Sequence, residues 1–295
     1  MIKEVFMMTT DEIALKRRTA CLSVLSNTLL VIGKLSIGLL TGTVSLISEA
    51  IHSGVDLLAA AIACLAVRKS CLPPDQDHDY GHGKVENVSA AFESLLIIVA
   101  ALSILYEAAG KFFHPQIPES LDWAIVIMLA SSLINAVVSA RLYYVGEKTG
   151  SEALKAEGMH LRADVWTSAA VMAGIFLMKI TGWAILDPLI ACLVALGILR
   201  VGYKMCRSSY DDLTDASLSD AEESKIGHLI METPGVKGYH HLRTRISGSE
   251  TIMDFHLELD RTLPLSQAHA ISDKVESALQ KKYGPCDPMI HLDPR

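Results

Sequence analysis

Long apolar segments alternate with short polar or glycine-containing connections over the first two thirds of the chain. Six of these segments approach the roughly 20 residues that a helix needs to cross the hydrocarbon core of a bilayer. A spanning segment must satisfy its own backbone hydrogen bonds in lipid, so each segment is predicted to be a helix. The segments cover residues 22–40, 44–67, 88–113, 123–144, 152–180 and 185–206.

The pattern changes after residue 207. A polar stretch leads into an amphipathic helix within 210–236, and residues 239–260 alternate around a Gly-Ser turn, which predicts a β-hairpin. A second amphipathic helix in 264–284 ends at a glycine, and 287–293 read as a short last strand. The order αββαβ predicts a small ferredoxin-like α+β domain with helices on one face. We therefore expect a six-helix transmembrane domain over 1–207 and a cytoplasmic domain over 208–295.

Composition supports a membrane protein. Hydrophobic residues make up 51% of the 295 positions and charged residues 20%, and the mean hydropathy is +0.34, which soluble domains rarely reach. The net charge of −7 without a basic block argues against nucleic acid as a partner. The six cysteines form no C-x-x-C pair and are expected to be reduced. The N-terminus has no apolar segment ending in small residues, so no cleaved signal peptide is expected.

The distribution of Lys and Arg predicts the orientation. The N-terminal segment, the connection over 68–87 and that around 141–155 are rich in cations, whereas the opposite side of the bundle has only Lys111 and Lys179. The positive-inside rule therefore places both termini in the cytoplasm. Lys34 lies within the first segment and is expected to snorkel or to find a partner.

Two apolar segments carry the same polar pattern, H-x-x-x-D. His52 and Asp56 lie in the second segment, and His160 and Asp164 in the fifth. A spacing of four residues places both side chains on one helix face. If the two faces meet, two imidazoles and two carboxylates converge into a tetrahedral N2O2 set that suits Zn²⁺. The alternative is that each pair is only an intrahelical hydrogen bond or ion pair.

The connection after the second segment is dense in oxygen and imidazole donors. Asp75, His78 and His82 are its best candidates for metal ligands. The alternative is a solvated loop whose Asp and Gly residues serve turn formation.

The C-terminal part holds six of the eleven histidines. The predicted strands and second helix carry those that could converge, together with one carboxylate: His240, His256, His269, His291 and Asp293. We assign no role to His228 and His241, because most histidines of soluble domains are exposed or capping residues.

These motifs together resemble the cation diffusion facilitator family over nearly the whole chain, and point to a bacterial member. The residues that carry the resemblance are HSGVD at 52–56, DHDYGHGKVE at 77–86, HLRAD at 160–164, GVKGYHHLRTR at 235–245, FHLELD at 255–260, QAHAISD at 267–273 and IHLDP at 290–294. The paired H-x-x-x-D motifs and YGHGK are the most specific.

The resemblance implies roles for particular residues. His52, Asp56, His160 and Asp164 match the family's transport site. Asp75, His78 and His82 match a loop site of some members, and the five candidates of the C-terminal part match a binuclear site in a metallochaperone-like domain. Lys84 and Asp215 fall where relatives form a salt bridge at the junction of a homodimer. Some relatives have Asp in place of His52, and imidazole there favours zinc, cobalt or nickel over Mn²⁺ and Mg²⁺.

The sequence and the resemblance together predict export of Zn²⁺ in exchange for protons, by alternating access around one site in the cell (inner or plasma) membrane. The alternatives include two other classes of function. A membrane zinc hydrolase is disfavoured because there is no H-E-x-x-H and a closed four-ligand site leaves no position for water. A non-transporting metal sensor and a transporter whose main substrate is Co²⁺, Ni²⁺, Cd²⁺ or Fe²⁺ stay as alternatives. No enzymatic activity is expected.

Overall fold

The computed structural model describes residues 10–41, 44–113, 122–181, 183, 185–284 and 286–295. The first nine residues, which bear on the expected absence of a signal peptide, lie outside this range, as do the side chains of Lys111 and Lys179. The chain divides into two compact units, one of residues 14–209 and one that contains residues 210–295. The predicted boundary between 207 and 208 stays a prediction, and the last helix of the first part runs across it.

All six predicted apolar segments are helical in the described residues. The helices are α1 (Thr10–Thr41), α2 (Val44–Ser70), α3 (Lys84–Phe113), α4 (Asp122–Thr149), α5 (Glu152–Thr181) and α6 (Leu186–Leu213). Within the described ranges, four stretches are long and apolar enough to cross a membrane: Thr10–Leu40, Ala50–Ser70, Lys84–Gly110 and Pro188–Leu213. Helices α4 and α5 are not in this group, and the first half of α5 is rich in charged residues.

Helices α4 and α5 pack closely because glycine lets their backbones approach. Gly150, with φ of +62°, turns the chain between them. A Cβ atom at Gly158 would lie 3.0 Å from the Tyr143 amide nitrogen and 3.2 Å from the Ser139 carbonyl oxygen. Small residues at helix contacts are typical of membrane bundles. The close packing of this helical hairpin fixes the position of the polar half of α5 against α4.

A buried carboxylate ties four parts of the bundle together. Glu86 on α3 is fully buried, and its Oε1 atom lies 2.7 Å from Lys16 Nζ on α1. Ser70 at the end of α2 donates to the same oxygen at 2.5 Å, and Ser151 before α5 donates to Oε2. Removing one partner of such a group would leave a buried charge, which is strongly destabilising.

The second unit has the predicted order αββαβ. Its elements are α7 (Asp220–Met231), β1 (Gly238–Ser247), β2 (Glu250–Leu259), α8 (Leu265–Tyr283) and β3 (Cys286–Pro294). The sheet is mixed: β2 lies in the centre, antiparallel to β1 and parallel to β3. Alternate residues of β2 point to opposite faces. Met253, Phe255 and Leu257 are buried with residues of α7 and α8, so the helices cover one face and leave the other for polar side chains.

Candidate metal centres

Helices α2 and α5 bring their polar faces together. Donor atoms of Asp56, His160 and Asp164 all lie within 4.8 Å of one another. The contact between the helices is direct, because His160 Nε2 lies 3.3 Å from Asp56 Oδ1. Both residues are buried, at 5% exposure each. The two H-x-x-x-D motifs therefore face each other, and the intrahelical alternative does not describe the contact between His160 and Asp56.

This cluster lies at a cavity of about 450 Å³ that His52 also lines. His52 stands outside the group of three and its side chain is exposed. Two buried atoms of the cluster, His160 Nδ1 and Asp164 Oδ2, have no hydrogen-bond partner among the described residues. Buried polar atoms of folded proteins almost always have partners. The arrangement therefore offers donor atoms that a cation or protons can satisfy.

Two buried glutamates adjoin the cluster, and the sequence reasoning did not assign them a role. Glu157 Oε1 accepts a hydrogen bond from Ser23 of α1 at 2.5 Å, and Glu93 of α3 accepts one from Ser89 at 3.4 Å. Both side chains are essentially fully buried, and both lie within electrostatic range of His160. Glu157 precedes His160 by three residues, and this helical spacing was the available signal.

The loop after α2 forms a second group, of Asp75, His78 and His82. Asp75 Oδ1 lies 3.0 Å from His78 Nδ1, and Oδ2 lies 3.3 Å from His82 Nε2. The hydrogen bond with His78 lowers the pKa of Asp75, supported by the backbone amides of Asp77 and His78. The carboxylate of Asp75 therefore belongs to the predicted cluster of metal ligands. It also holds a turn, as the alternative interpretation expected.

The open face of the sheet carries the third group, and strand register explains it. His240, His256 and His291 lie side by side across β1, β2 and β3. Asp293 joins them: its carboxylate lies 2.8 Å from His256 Nδ1, 3.2 Å from His240 Nε2 and 3.2 Å from His291 Nε2. The hydrogen bond from His256 lowers the pKa of Asp293, and the charges of the three histidines add to that effect. Four of the five predicted residues therefore converge.

His241 also joins this group, although we assigned it no role from the sequence. The β1–β2 register shifts between His240 and Arg243, and His241 has a φ of +54°. Such a bulge lets two consecutive residues face one way. Its Nδ1 lies 2.8 Å from that of His240, and both form a donor group with His256. A His-His pair in a predicted strand is a weak signal, because regular pleating would separate the two rings.

His269 is not brought into the group. It lies on α8 with its side chain 69% exposed, and its Nε2 is 3.7 Å from Asp273. Lys84 is the first residue of α3. Asp215 follows α6 with a φ of +59° and pairs with Arg245 at 3.3 Å. The salt bridge between Lys84 and Asp215 stays a prediction.

Comparison with known proteins identifies the family. Residues 20–214 match the cation efflux transmembrane domain, and residues 218–295 match the cytoplasmic domain of cation efflux proteins. A solved structure of CzrB in its zinc form is 27% identical and covers 27% of this chain and 91% of its own, with a TM-score of 0.26, too low to support a comparison of folds.

Curated relatives match over most of the chain. The uncharacterized transporter sll1263 of Synechocystis sp. is 33% identical and covers 88% of this chain and 84% of its own. The cation-efflux pump FieF of Pectobacterium atrosepticum is 35% identical, covering 86% and 84%. FieF of Citrobacter koseri is 31% identical, covering 94% and 92%. This chain is a membrane protein of the cation diffusion facilitator family, a transporter for the efflux of divalent metal cations rather than an enzyme.

Proposed function

We propose that the protein exports Zn²⁺ by proton antiport and that His52, Asp56, His160 and Asp164 hold the transported ion. The observation that carries this proposal is the convergence of Asp56, His160 and Asp164 from two helices within 4.8 Å, beside the cavity that His52 lines. An ionisable group at membrane depth is costly and indicates function. Two imidazoles and two carboxylates suit tetrahedral Zn²⁺.

Coupling to protons follows from the chemistry of these ligands. A metal ion needs a neutral imidazole and an ionised carboxylate, so metal and protons compete for the same atoms. Histidine exchanges protons near neutral pH when its pKa is close to its ordinary value of about 6.5. In the proposed cycle Zn²⁺ displaces protons from the cytoplasmic side, the helices expose the site outward, and protons displace the metal there.

We further propose that the chain crosses the membrane of a bacterial cell six times, with both termini in the cytoplasm. Its domain boundary would lie between residues 207 and 208. Two chains form a homodimer, with Lys84 and Asp215 bridged at the junction. The match to the cytoplasmic domain of cation efflux proteins supports the dimer. In the cytoplasmic domain, metal bound at the histidine group would neutralise charge and bias the transporter, whereas the Asp75 group is a second, peripheral site.

Flux into proteoliposomes under an imposed pH gradient tests the proposal. Asp164→Ala should abolish zinc flux, whereas Glu107→Gln, which neutralises another carboxylate lining the same cavity, should retain it. Parallel assays with Co²⁺, Ni²⁺, Cd²⁺ and Fe²⁺ would show which ion is preferred. Equal flux in the native chain and Asp164→Ala would refute the site. Metal binding without flux in the native chain would indicate the sensor, and flux without a response to the pH gradient would refute antiport.

A further inference from the structure

Two cysteines of the transmembrane domain lie in contact. The Sγ atoms of Cys21 on α1 and Cys64 on α2 are 3.7 Å apart, although 43 positions separate the two residues in the chain. Cys64 is buried at 7% exposure, whereas Cys21 is half-buried. Both are free thiols, as is usual in a reducing compartment. Neither belongs to the donor groups described above, so the pair is a dithiol to which the transport mechanism gives no role.

A guanidinium group distinguishes the two sulfurs. Arg68 lies one helical turn after Cys64, is exposed, and donates from Nη2 to Cys21 Sγ at 3.4 Å. A positive charge beside a cysteine sulfur stabilises the thiolate, which is the nucleophilic form and the form that oxidants attack. Cys21 is therefore the reactive member of the pair, and Cys64 lies beside it in the protein interior.

The pair lies near the cation-rich ends of its two helices. Arg17 and Arg18 precede Cys21 by one turn, and Arg68 and Lys69 belong to the last turn of α2. The proposed orientation places these ends in the cytoplasm. A small oxidant in the cytoplasm would therefore meet Cys21 near the aqueous boundary, where the side chain of Arg68 is exposed.

We propose that Cys21 and Cys64 are a reversible redox pair that a peroxide converts into an intrachain disulfide. Cys21 is the thiol that is oxidised first, Arg68 activates it, and Cys64 resolves the product. The inference goes beyond the proposed transport of metal, and its chemistry does not depend on which ion is transported.

The reaction balances with hydrogen peroxide as the oxidant. The Cys21 thiolate attacks one peroxide oxygen and the O–O bond breaks, which leaves a sulfenic acid on Cys21 and a hydroxide that takes up a proton to form water. Cys64 then attacks the Cys21 sulfur. The S–S bond forms, the S–O bond breaks, and the hydroxyl group leaves with the Cys64 proton as a second water. The two thiols lose two electrons, and the peroxide gains them.

Contact between the sulfurs favours the second step over further oxidation of Cys21. An S–S bond is about 2 Å long, so the sulfurs have to approach by a further ~1.7 Å. A sulfenic acid beside a thiol condenses to a disulfide, which thiol reductants reverse, whereas oxidation to sulfinic acid is irreversible. Cys64 would thus protect Cys21, and the disulfide would join α1 to the helix that carries His52 and Asp56.

Peroxide treatment of the purified full chain tests the proposal. The reduced protein, freed of reductant, is exposed to hydrogen peroxide, its remaining thiols are alkylated, and its peptides are identified by mass spectrometry. A peptide pair linked through Cys21 and Cys64 should accumulate, and it should disappear when dithiothreitol is added. Cys192 of α6 is the internal control, because it is half-buried like Cys21 and lies outside the pair. Its oxidation should be at least about tenfold slower.

Variants separate the roles of the three residues. In Cys64→Ser, Cys21 should accumulate as a sulfenic acid that dimedone labels, with no linked peptide. In Cys21→Ser, Cys64 should stay reduced, because it is buried. Arg68→Gln should slow the oxidation of Cys21 roughly tenfold, whereas Arg68→Lys keeps a positive charge and should stay within about threefold of the native rate.

Each of four results would overturn the proposal. The first is a sulfenic acid that persists on Cys21 of the native chain without the linked peptide, and the second is a disulfide that joins two chains instead. The third is oxidation of Cys192 as fast as that of Cys21, since the pair would then have no special reactivity. The fourth is a native rate of Cys21 oxidation in Arg68→Gln, since the guanidinium group would then not activate the thiol.

Discussion

The cluster between α2 and α5 and the histidine group on the cytoplasmic sheet use the same two donor types in opposite surroundings. The side chains of His160 and Asp56 are 6% and 7% exposed, whereas those of His291 and Asp293 are 65% and 29% exposed. On the sheet, one carboxylate contacts three imidazoles. Between the helices, buried donor atoms of His160 and Asp164 have no partner in the described part of the chain.

This difference bears on what each cluster can do. The exposed side chains on the sheet can hydrogen-bond to solvent or to one another when no metal is bound. A metal ion can therefore bind to this group or leave it at a small cost in free energy. Buried donors without partners are costly, and the cluster between the helices is therefore expected to hold either a metal ion or protons. The group on the sheet therefore suits the sensing of cytoplasmic metal, and the cluster between the helices suits an obligatory exchange of metal for protons.

Removal of one donor from each cluster should give the largest contrast. Asp56→Asn should lower gradient-driven zinc flux roughly hundredfold, because losing one partner of a buried charged set costs about 3 kcal/mol. His256→Ala should leave flux at saturating zinc within about threefold, because its cluster lies outside the membrane helices. Both variants are measured as initial rates in proteoliposomes. Comparable losses in the two variants would show that the clusters are not functionally separate.

The contribution of His241 sharpens the description of the cytoplasmic group. His241→Ala should weaken metal binding there by roughly tenfold, since it removes one of three adjacent imidazoles. The full chain carrying Asp56→Asn is titrated with Co²⁺, and visible absorption reports the ligands. His228→Ala is the matched control, because His228 is an exposed histidine of α7 in the same unit. An unaltered cobalt spectrum and affinity in His241→Ala would remove His241 from the site.

The smallest effect concerns acid stability of the metal-free cytoplasmic part. The lowered pKa of Asp293, due first to its hydrogen bond with His256, means that the ionised form stabilises the fold. That contribution is complete above the unfolded value of about 3.9 and is lost as pH falls through the lower folded value. The opening free energy of β2 and β3, obtained from hydrogen exchange after correction for the intrinsic exchange rate, should therefore fall less steeply between about pH 5 and 3 in Asp293→Asn.

Asp287→Asn is the control for that experiment, because Asp287 is an exposed residue of the same strand outside the histidine group. It should keep the native dependence on pH. If Asp293→Asn also keeps it, the contact between Asp293 and His256 does not contribute to stability.

Much of the fold was accessible from local pattern. The six apolar segments form helices, and αββαβ is the order of the second unit. Hydropathy alone is a weaker guide to the number of membrane spans, because the first half of α5 carries the polar residues of the candidate site. A helix can also extend beyond its apolar segment: α6 continues to Leu213, because backbone hydrogen bonding extends a helix through polar residues that hydropathy treats as outside.

Within the candidate site, the sequence predicted only the placement of residues that share one helix face. The spacing of four residues predicted a polar face on α2 and on α5, and the structure brings Asp56, His160 and Asp164 of these faces together. The spacing could not show that His52 stands outside the group of three, because rotamer and helix rotation decide that. His241 was missed because a bulge changes the face of a strand residue, and a bulge depends on pairing with the neighbouring strand.

By itself, the sequence determined which segments are helices or strands, which residues share a helix face, and which donor types are present. These depend on interactions within a few residues, so periods of 3.6 and 2 suffice. The tertiary structure alone decided that Lys34 lines the cavity and donates to Ser53, that Glu157 accepts from Ser23 and that Asp293 contacts three histidines. Those contacts join residues far apart in the chain, and they depend on which faces pack together and in which register.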